Sequence, residues 1–313
     1  MIVVTPYEQK KQEEWDAFIE VSRAPMFMFN RGFMEYHDDR FSDASVMAYD
    51  DDKLVAVMPA SRHGDEIRSH GGLTYGGIIA GEKMKQQTML ECFSAILDYY
   101  KEQGVSTLVY KSVPYIYHTY PSQEDLYALF ISNAQMLKAE PSSTLLLRAP
   151  FKMPKGRKAQ ISRAKREGVV ISESEDFDSF IALENEVLAQ HHNVQAVHNA
   201  EELQLLHSRF PNNIRCFMAK NSEGRLIAGA LLFIYPQVIH TQYLASNDEG
   251  RCIGALDLVI SEIMQKYKET HTYLDFGIST EEMGRVLNNG LISQKESFGA
   301  RTSIYHTWKI NIL

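Results

Sequence analysis

An internal repeat constrains this chain more than any other feature. In the second half, IRCFMAK, the polar turn Asn221-Ser222-Glu223-Gly224, RLIAGALLFIY and VIHTQYLAS predict three successive antiparallel strands. Ahead of them come a strand at 142–150, a basic helix at 156–168 stopped by Gly168, a short strand at 169–174, and helices at 177–192 and 201–210. Behind them come a long amphipathic helix at 254–269, a strand at 272–279, a partly helical stretch at 281–299 and a closing strand. The first half repeats much of this order. It has a strand at IVVTPY, helices at 12–22 and 30–39, strands in SVMAYDDDKLVAVMPASR and DEIRSH, a helix at 88–104, a strand at 106–114 and a helix at 124–132. AYDDDKLVAVMPA lines up with AKNSEGRLIAGAL: strand, polar turn, basic residue, apolar strand. A repeat with a period near half of 313 residues predicts two copies of one unit, divided between 135 and 150, as domains 1–140 and 141–313. A meander joined to strand–helix alternation is an α+β (mixed α/β) layout, each unit a central, mostly antiparallel sheet flanked by helices.

Composition narrows the function classes. With 44% apolar residues the chain is not intrinsically disordered. Ile227–Tyr235, within the longest apolar run, falls well short of the roughly 20 residues that span a bilayer. MIVVTPYEQKKQEEW lacks a basic n-region, so no signal peptide is expected and a cytoplasmic location is. Cys92, Cys216 and Cys252 are scattered, without metal spacing, and read as packed thiols. His191-His192 with His198 lacks a completing carboxylate or thiol, so no metal site is expected. The net charge of −8 argues against a DNA-coating protein. The charge is uneven, however: the first 150 residues hold 14 basic and 21 acidic side chains, the remainder 18 and 19. Within the near-neutral half, Lys152, Lys155, Arg157, Lys158, Arg163, Lys165 and Arg166 fall inside fifteen residues. Lys155, Lys158 and Arg166 share one broad helical side, suited to phosphates of a nucleotide, a pyrophosphate or a tRNA acceptor end. A solvated helix face is the plainer alternative.

These elements carry a family resemblance. The order strand, two helices, three strands, long helix, strand, helix, strand is similar to the GNAT acyltransferase fold. Two such domains in tandem resemble the Fem-type aminoacyltransferases that build peptidoglycan cross-bridges, and their bacterial relatives. The resembling stretches are HGGLTYGG (70–77), KSVPYIYHTYPSQEDLYALF (111–130), the basic helix, HTQYLASNDEGRCIGALDL (240–258) and LDFGISTEEMGRVLNNGLISQKESFGAR (274–301). Lys295-Glu-Ser-Phe298-Gly299 is similar to the Lys-x-x-Phe-Gly element of Fem enzymes. Two departures stand out. The long coiled-coil insertion frequent in bridge-building Fem enzymes is absent. In the pyrophosphate motif of GNAT enzymes, Arg251-Cys252-Ile253-Gly254-Ala255-Leu256 places Leu256 where a small residue stands.

The resemblance and the residue chemistry together nominate a site. Arg251, Gly254 and Ala255 would hold the phosphates of acyl-CoA (acetyl-CoA), since a helix N-terminus presents unpaired N–H groups and Gly254 admits close approach. Lys295 would stabilise the oxyanion formed when an amine attacks an ester or thioester. Asp275, after an apolar strand, is a candidate general base, and Tyr243 on the preceding strand a candidate general acid. Alternation places His240 and Tyr243 on opposite faces of that strand. Lys158, Arg163, Lys165 and Arg166 would bind substrate phosphates; in Fem-like proteins such a segment lies beside those of the cell-wall precursor. The glycine-rich 69–77 loop with Tyr75 and Gly76, the aromatic loop with Tyr117, and Phe298 are expected to line the substrate site. The expected activity is transfer of an acyl or aminoacyl group from acyl-CoA or aminoacyl-tRNA to a primary amine, such as one on a cell-wall precursor. No nucleophile motif points to a covalent intermediate. Contact with DNA is not expected, and any membrane contact would be peripheral. The other class open to the sequence is a catalytically degenerate module that binds a phosphorylated ligand or a protein partner.

Overall fold

The computed structural model describes residues 1–191 and 196–312. Its internal contacts form two units: Met1–Pro141 with Thr280–Val286 and Ser303–Leu313, and Ser142–Ser279 with Leu287–Thr302. A division at 140/141 places the two late segments Thr280–Val286 and Ser303–Leu313 in the second domain, whereas their contacts count to the first unit.

The first unit contains β1 (Ile2–Pro6), α1 (Gln12–Glu20), α2 (Arg31–Met34), β2 (Ser42–Asp43), β3 (Val46–Asp50), β4 (Lys53–Met58), β5 (Ser61–His63), β6 (Glu66–Arg68), β7 (Ile79–Ala80), α3 (Gln86–Glu102), β8 (Thr107–Lys111), α4 (Glu124–Ile131) and the first part of β9 (Gln135–Leu146). β1, β3, β4 and β7 form an antiparallel sheet in that order. The hairpin turns at Asp51 and Asp52, both at positive φ (45° and 63°), a conformation that short Asp side chains tolerate. Helix α3 buries Met89, Cys92, Phe93, Ile96 and Tyr100, spaced three and four apart, against Val46, Ala48, Ala56 and Met58. The helix expected at 30–39 is shorter: regular α geometry ends at Met34, and His37 breaks the turns that follow with φ −134°.

The second unit contains α5 (Lys155–Arg166), β10 (Val170–Glu173), α6 (Phe177–His191), α7 (Ala200–Arg209), β11 (Ile214–Lys220), β12 (Leu226–Ile234), β13 (Val238–Ser246), α8 (Asp248–Ile253), α9 (Ala255–Tyr267) and β14 (Tyr273–Ile278). After it come β15 (Thr280–Glu281), β16 (Val286–Leu287), α10 (Asn289–Glu296) and β17 (Arg301–Asn311), the last pairing with β8. The sheet order is β10-β11-β12-β13-β14-β9, antiparallel except for the parallel pair β13–β14.

Strand β12 explains the chain's longest apolar run. Ala228, Ala230 and Leu232 belong to the core under α9, with Leu258, Val259 and Ile263. On the other face a side chain at Gly229 would meet the Phe180 ring of α6 at 3.0 Å. A strand covered on both faces reads as continuous apolar sequence. The expected 254–269 helix is α9. A separate α8 precedes it, capped by the Asn247 side chain accepting from Gly250 N–H at 2.9 Å. The stretch expected to be helical over 281–299 is α-helical over Asn289–Glu296, because Glu282, Met283 and Gly284 all have positive φ and divert the chain. Among the described residues no helix is long and apolar enough to cross a membrane.

Candidate functional site

Strands β13 and β14 run parallel over three residue pairs, and their ladder ends at His240↔Asp275. That end is the natural place for a site, because polar groups there no longer need to satisfy a neighbouring strand. Asp275 is fully buried and accepts hydrogen bonds from Ser142 Oγ (2.5 Å), Thr144 Oγ1 (3.3 Å) and Gly277 N–H (3.4 Å). Its other oxygen lies 3.0 Å from His240 Nδ1. A carboxylate accepts only, so Nδ1 carries a proton, and in the neutral ring Nε2 holds the lone pair. Asp275, expected as a general base, is thus sealed behind the imidazole; its geometry is that of a group orienting His240.

Lys295 reaches the same place from α10. Its Nζ donates to Gly277 O at 2.9 Å and Ile278 O at 2.7 Å. Those carbonyls are available because β14 is irregular there: after Asp275↔Thr144 the next pair is Ile278↔Ser142, so two residues of β14 oppose one of β9. Gly277 (φ +74°) permits the bulge, and a Cβ there would stand 3.5 Å from His240 Cε1. An ammonium has three N–H groups, so one remains beyond the two carbonyls. Burial lowers the Lys295 pKa to about 8, with Asp275 opposing the shift.

A second bulge corrects the expected faces of β13. Leu231 pairs with Tyr243 and Leu232 with Thr241, leaving Gln242 as the extra residue. Tyr243 and His240 therefore stand opposite Leu231 and Phe233, which share a face, so the two lie on the same side and not on opposite sides. Helix α6 covers that face. The Tyr243 hydroxyl is 2.7 Å from His198 Nδ1 and accepts from His198 N–H at 3.2 Å. Burial raises its pKa above 10, with Glu184 contributing.

Other expected residues fall elsewhere. Arg251 pairs within α8 with Asp248 at 2.7 Å, and Ala255 is fully buried in the α9 core. Gly254 is left-handed (φ +80°), but the space above it is filled: a Cβ would lie 2.8 Å from Gln160 O. A pyrophosphate cannot approach Gly254 from that side. Phe298, 1% exposed, stacks on Phe276 at 5.9 Å beneath the Arg157 guanidinium and is core, not lining. Tyr75 and Tyr117 are likewise buried, packed ring to ring at 4.8 Å and against Tyr305, while Gly76 is pressed on Ser69 O. They build the first unit's interior instead of presenting a surface. On α5, Lys165 pairs with Glu262 at 3.7 Å and Arg163 lies 3.7 Å from Cys252 Sγ. Lys158 and Arg166 are exposed and, like Lys155, have no ion pair among the described residues. Cys92 and Cys216 are buried, their pKa values lifted to about 12 by burial. His192 lies outside the described residues, among which no cluster of metal-ligating side chains occurs.

Sequence reasoning passed over His240 as the functional partner of Asp275, and Ser142 and Thr144 as its donors. His240 and Asp275 are 35 residues apart, and a parallel ladder leaves no local signal of its register.

The profile of the acetyltransferase (GNAT) domain family matches residues 155–283. Among solved structures, the chain is similar to FemX, with 12% identity over 97% of this chain and 96% of that one and a TM-score of 0.68. L-PGS from Bacillus licheniformis gives 16% identity, 96% and 91% coverage and a TM-score of 0.65. A tandem GNAT protein from the clavulanic acid biosynthesis pathway gives 11% identity, 100% and 99% coverage and a TM-score of 0.57. No curated protein matches the chain by sequence. The fold is the mixed α/β tandem GNAT fold, and it resembles that of the Fem-type proteins.

Proposed function

We propose that the second unit catalyses transfer of an aminoacyl group from its tRNA ester to a primary amine. The observation that carries this reading is the buried Lys295 ammonium beside the His240–Asp275 pair, at the point where β13 and β14 part in a GNAT-type sheet. The neutral amine attacks the ester carbonyl and forms the C–N bond, while His240 Nε2 takes one amine proton. Asp275 stabilises the imidazolium it holds, as in other carboxylate–histidine pairs. The oxygen of the tetrahedral intermediate is stabilised by the remaining Lys295 N–H. The C–O bond then breaks, and the imidazolium returns its proton to the leaving ribose oxygen. Tyr243, committed to His198 and with a raised pKa, serves as a neutral wall.

Two features favour tRNA over acyl-CoA as donor. The Arg251–Leu256 stretch places Leu256 where the pyrophosphate motif has a small residue, and Lys155, Lys158 and Arg166 leave a basic α5 face unneutralised. The sequence resemblance to Fem-type aminoacyltransferases makes a cell-wall precursor amine the first acceptor to try. Purified protein is incubated with tRNA charged with labelled amino acids, in parallel with labelled acetyl-CoA, each with a muropeptide precursor carrying a free amine. Label passing from charged tRNA into an alkali-stable amide supports the reading. Transfer from acetyl-CoA alone overturns the donor, and no transfer from either overturns the activity in favour of a binding module.

A further inference from the structure

Helix α6 carries an anomaly that the proposed chemistry does not use. Phe177, Phe180, Ile181 and Glu184 follow the i, i+3, i+4, i+7 spacing of a core-facing stripe, and the fourth position is a carboxylate. Glu184 is 6% exposed, and its Oε2 is sealed from solvent with no hydrogen-bond partner among the described residues. A buried carboxylate without a donor is costly, and an apolar side chain would complete the stripe at no such cost. Burial raises its pKa to about 7.

Its position says what it faces. Phe180, one turn earlier, lies over Gly229, on the same side of β12 as Leu231 and Phe233. Those residues oppose Tyr243 and His240 on β13. Glu184 therefore belongs to the helix covering the sheet face that presents His240, and its charge is felt at the Tyr243 hydroxyl. A carboxylate can only accept, so its natural occupant is a cationic donor. In an aminoacyl ester the ammonium sits one carbon from the reacting carbonyl. A group that binds that ammonium must lie close to the groups that handle the carbonyl.

We propose that Glu184 binds the α-ammonium of the aminoacyl donor and so selects aminoacyl over simple acyl groups. The proposal rests on the aminoacyl-transfer reading and extends it to the donor's chemical class. The test is direct binding, independent of turnover. Glycinamide, L-alaninamide, L-serinamide and L-lysinamide are titrated by NMR into wild type, Glu184→Gln and Glu184→Leu, alongside their N-acetyl forms and 1,5-diaminopentane. At least one free-amine amide should bind wild type, its N-acetyl form at least tenfold more weakly, and both variants should lose the amide at least tenfold. Thermal melting should show both variants as stable as wild type or more so, an outcome a purely structural glutamate would not give. Equal binding of the N-acetyl form, unchanged binding by the variants, binding of the diamine but of none of the amides, no binding at all, or a lowered melting temperature in both variants overturns the proposal. Amide binding lost in Glu184→Gln while no donor is transferred by wild type keeps the ammonium site and removes the transfer reading. Transfer of N-acetylaminoacyl groups as fast as aminoacyl groups keeps transfer and removes the site's selectivity.

Discussion

Replacing Lys295 tests the proposed chemistry most sharply. In the folded chain its ammonium rests on the Gly277 and Ile278 carbonyls, and burial moves its pKa from 10.5 to about 8. A displacement of that size corresponds to about 3 kcal/mol of preference for the neutral amine. The sign follows from linkage. The unfolded chain holds the proton up to higher pH than the folded one, so stability rises with pH from about 8 toward 10.5. Catalysis runs the other way, since the oxyanion needs the ammonium, and turnover should fall as pH rises through about 8. Lys295→Ala should lower turnover on the order of 10²–10³-fold, as removal of one oxyanion donor does, with little change in KM. Lys295→Arg should recover part of the rate and lose the alkaline limb, because a guanidinium does not titrate in this range and places its charge differently. The assay is single-turnover aminoacyl transfer between pH 6 and 10. Wild-type turnover in Lys295→Ala, or an unchanged alkaline limb in Lys295→Arg, refutes the assignment.

The basic face should act through phosphates. Combined Lys155, Lys158 and Arg166→Ala replacement should weaken binding of charged tRNA at low salt and flatten its salt dependence, measured by filter binding at several salt concentrations. The same change at Lys165, already paired with Glu262, should matter less. In the first unit, half-buried Asp125 accepts from the Tyr110 hydroxyl at 2.8 Å, and desolvation raises its pKa to about 6. Stability from its protonated form is present below about 4 and lost as pH rises through about 6, and Asp125→Asn should flatten that decline in urea unfolding measured at successive pH values.

Local sequence determined much of this protein. The apolar run of β12, the α9 stripe, the repeated hairpins and the basic α5 segment are all dictated by short-range spacing, because helix and strand periods act over a few residues. The Lys-x-x-Phe-Gly element singled out Lys295 as a candidate, and the repeated element order carried the fold. Tertiary structure alone decided which polar groups meet. The β13–β14 register brings His240 to Asp275; the bulge at Gln242 turns Tyr243 to the side of His240; the bulge at Gly277 frees two carbonyls for Lys295. It also buried Phe298, Tyr75 and Tyr117, which the sequence placed along the substrate site. A bulge is one extra residue opposite a distant strand, and burial is a property of neighbours far away in sequence. Gly277 marks its own bulge, but nothing in the β13 segment marks the extra residue Gln242, and nothing near Phe298, Tyr75 or Tyr117 in sequence marks their burial.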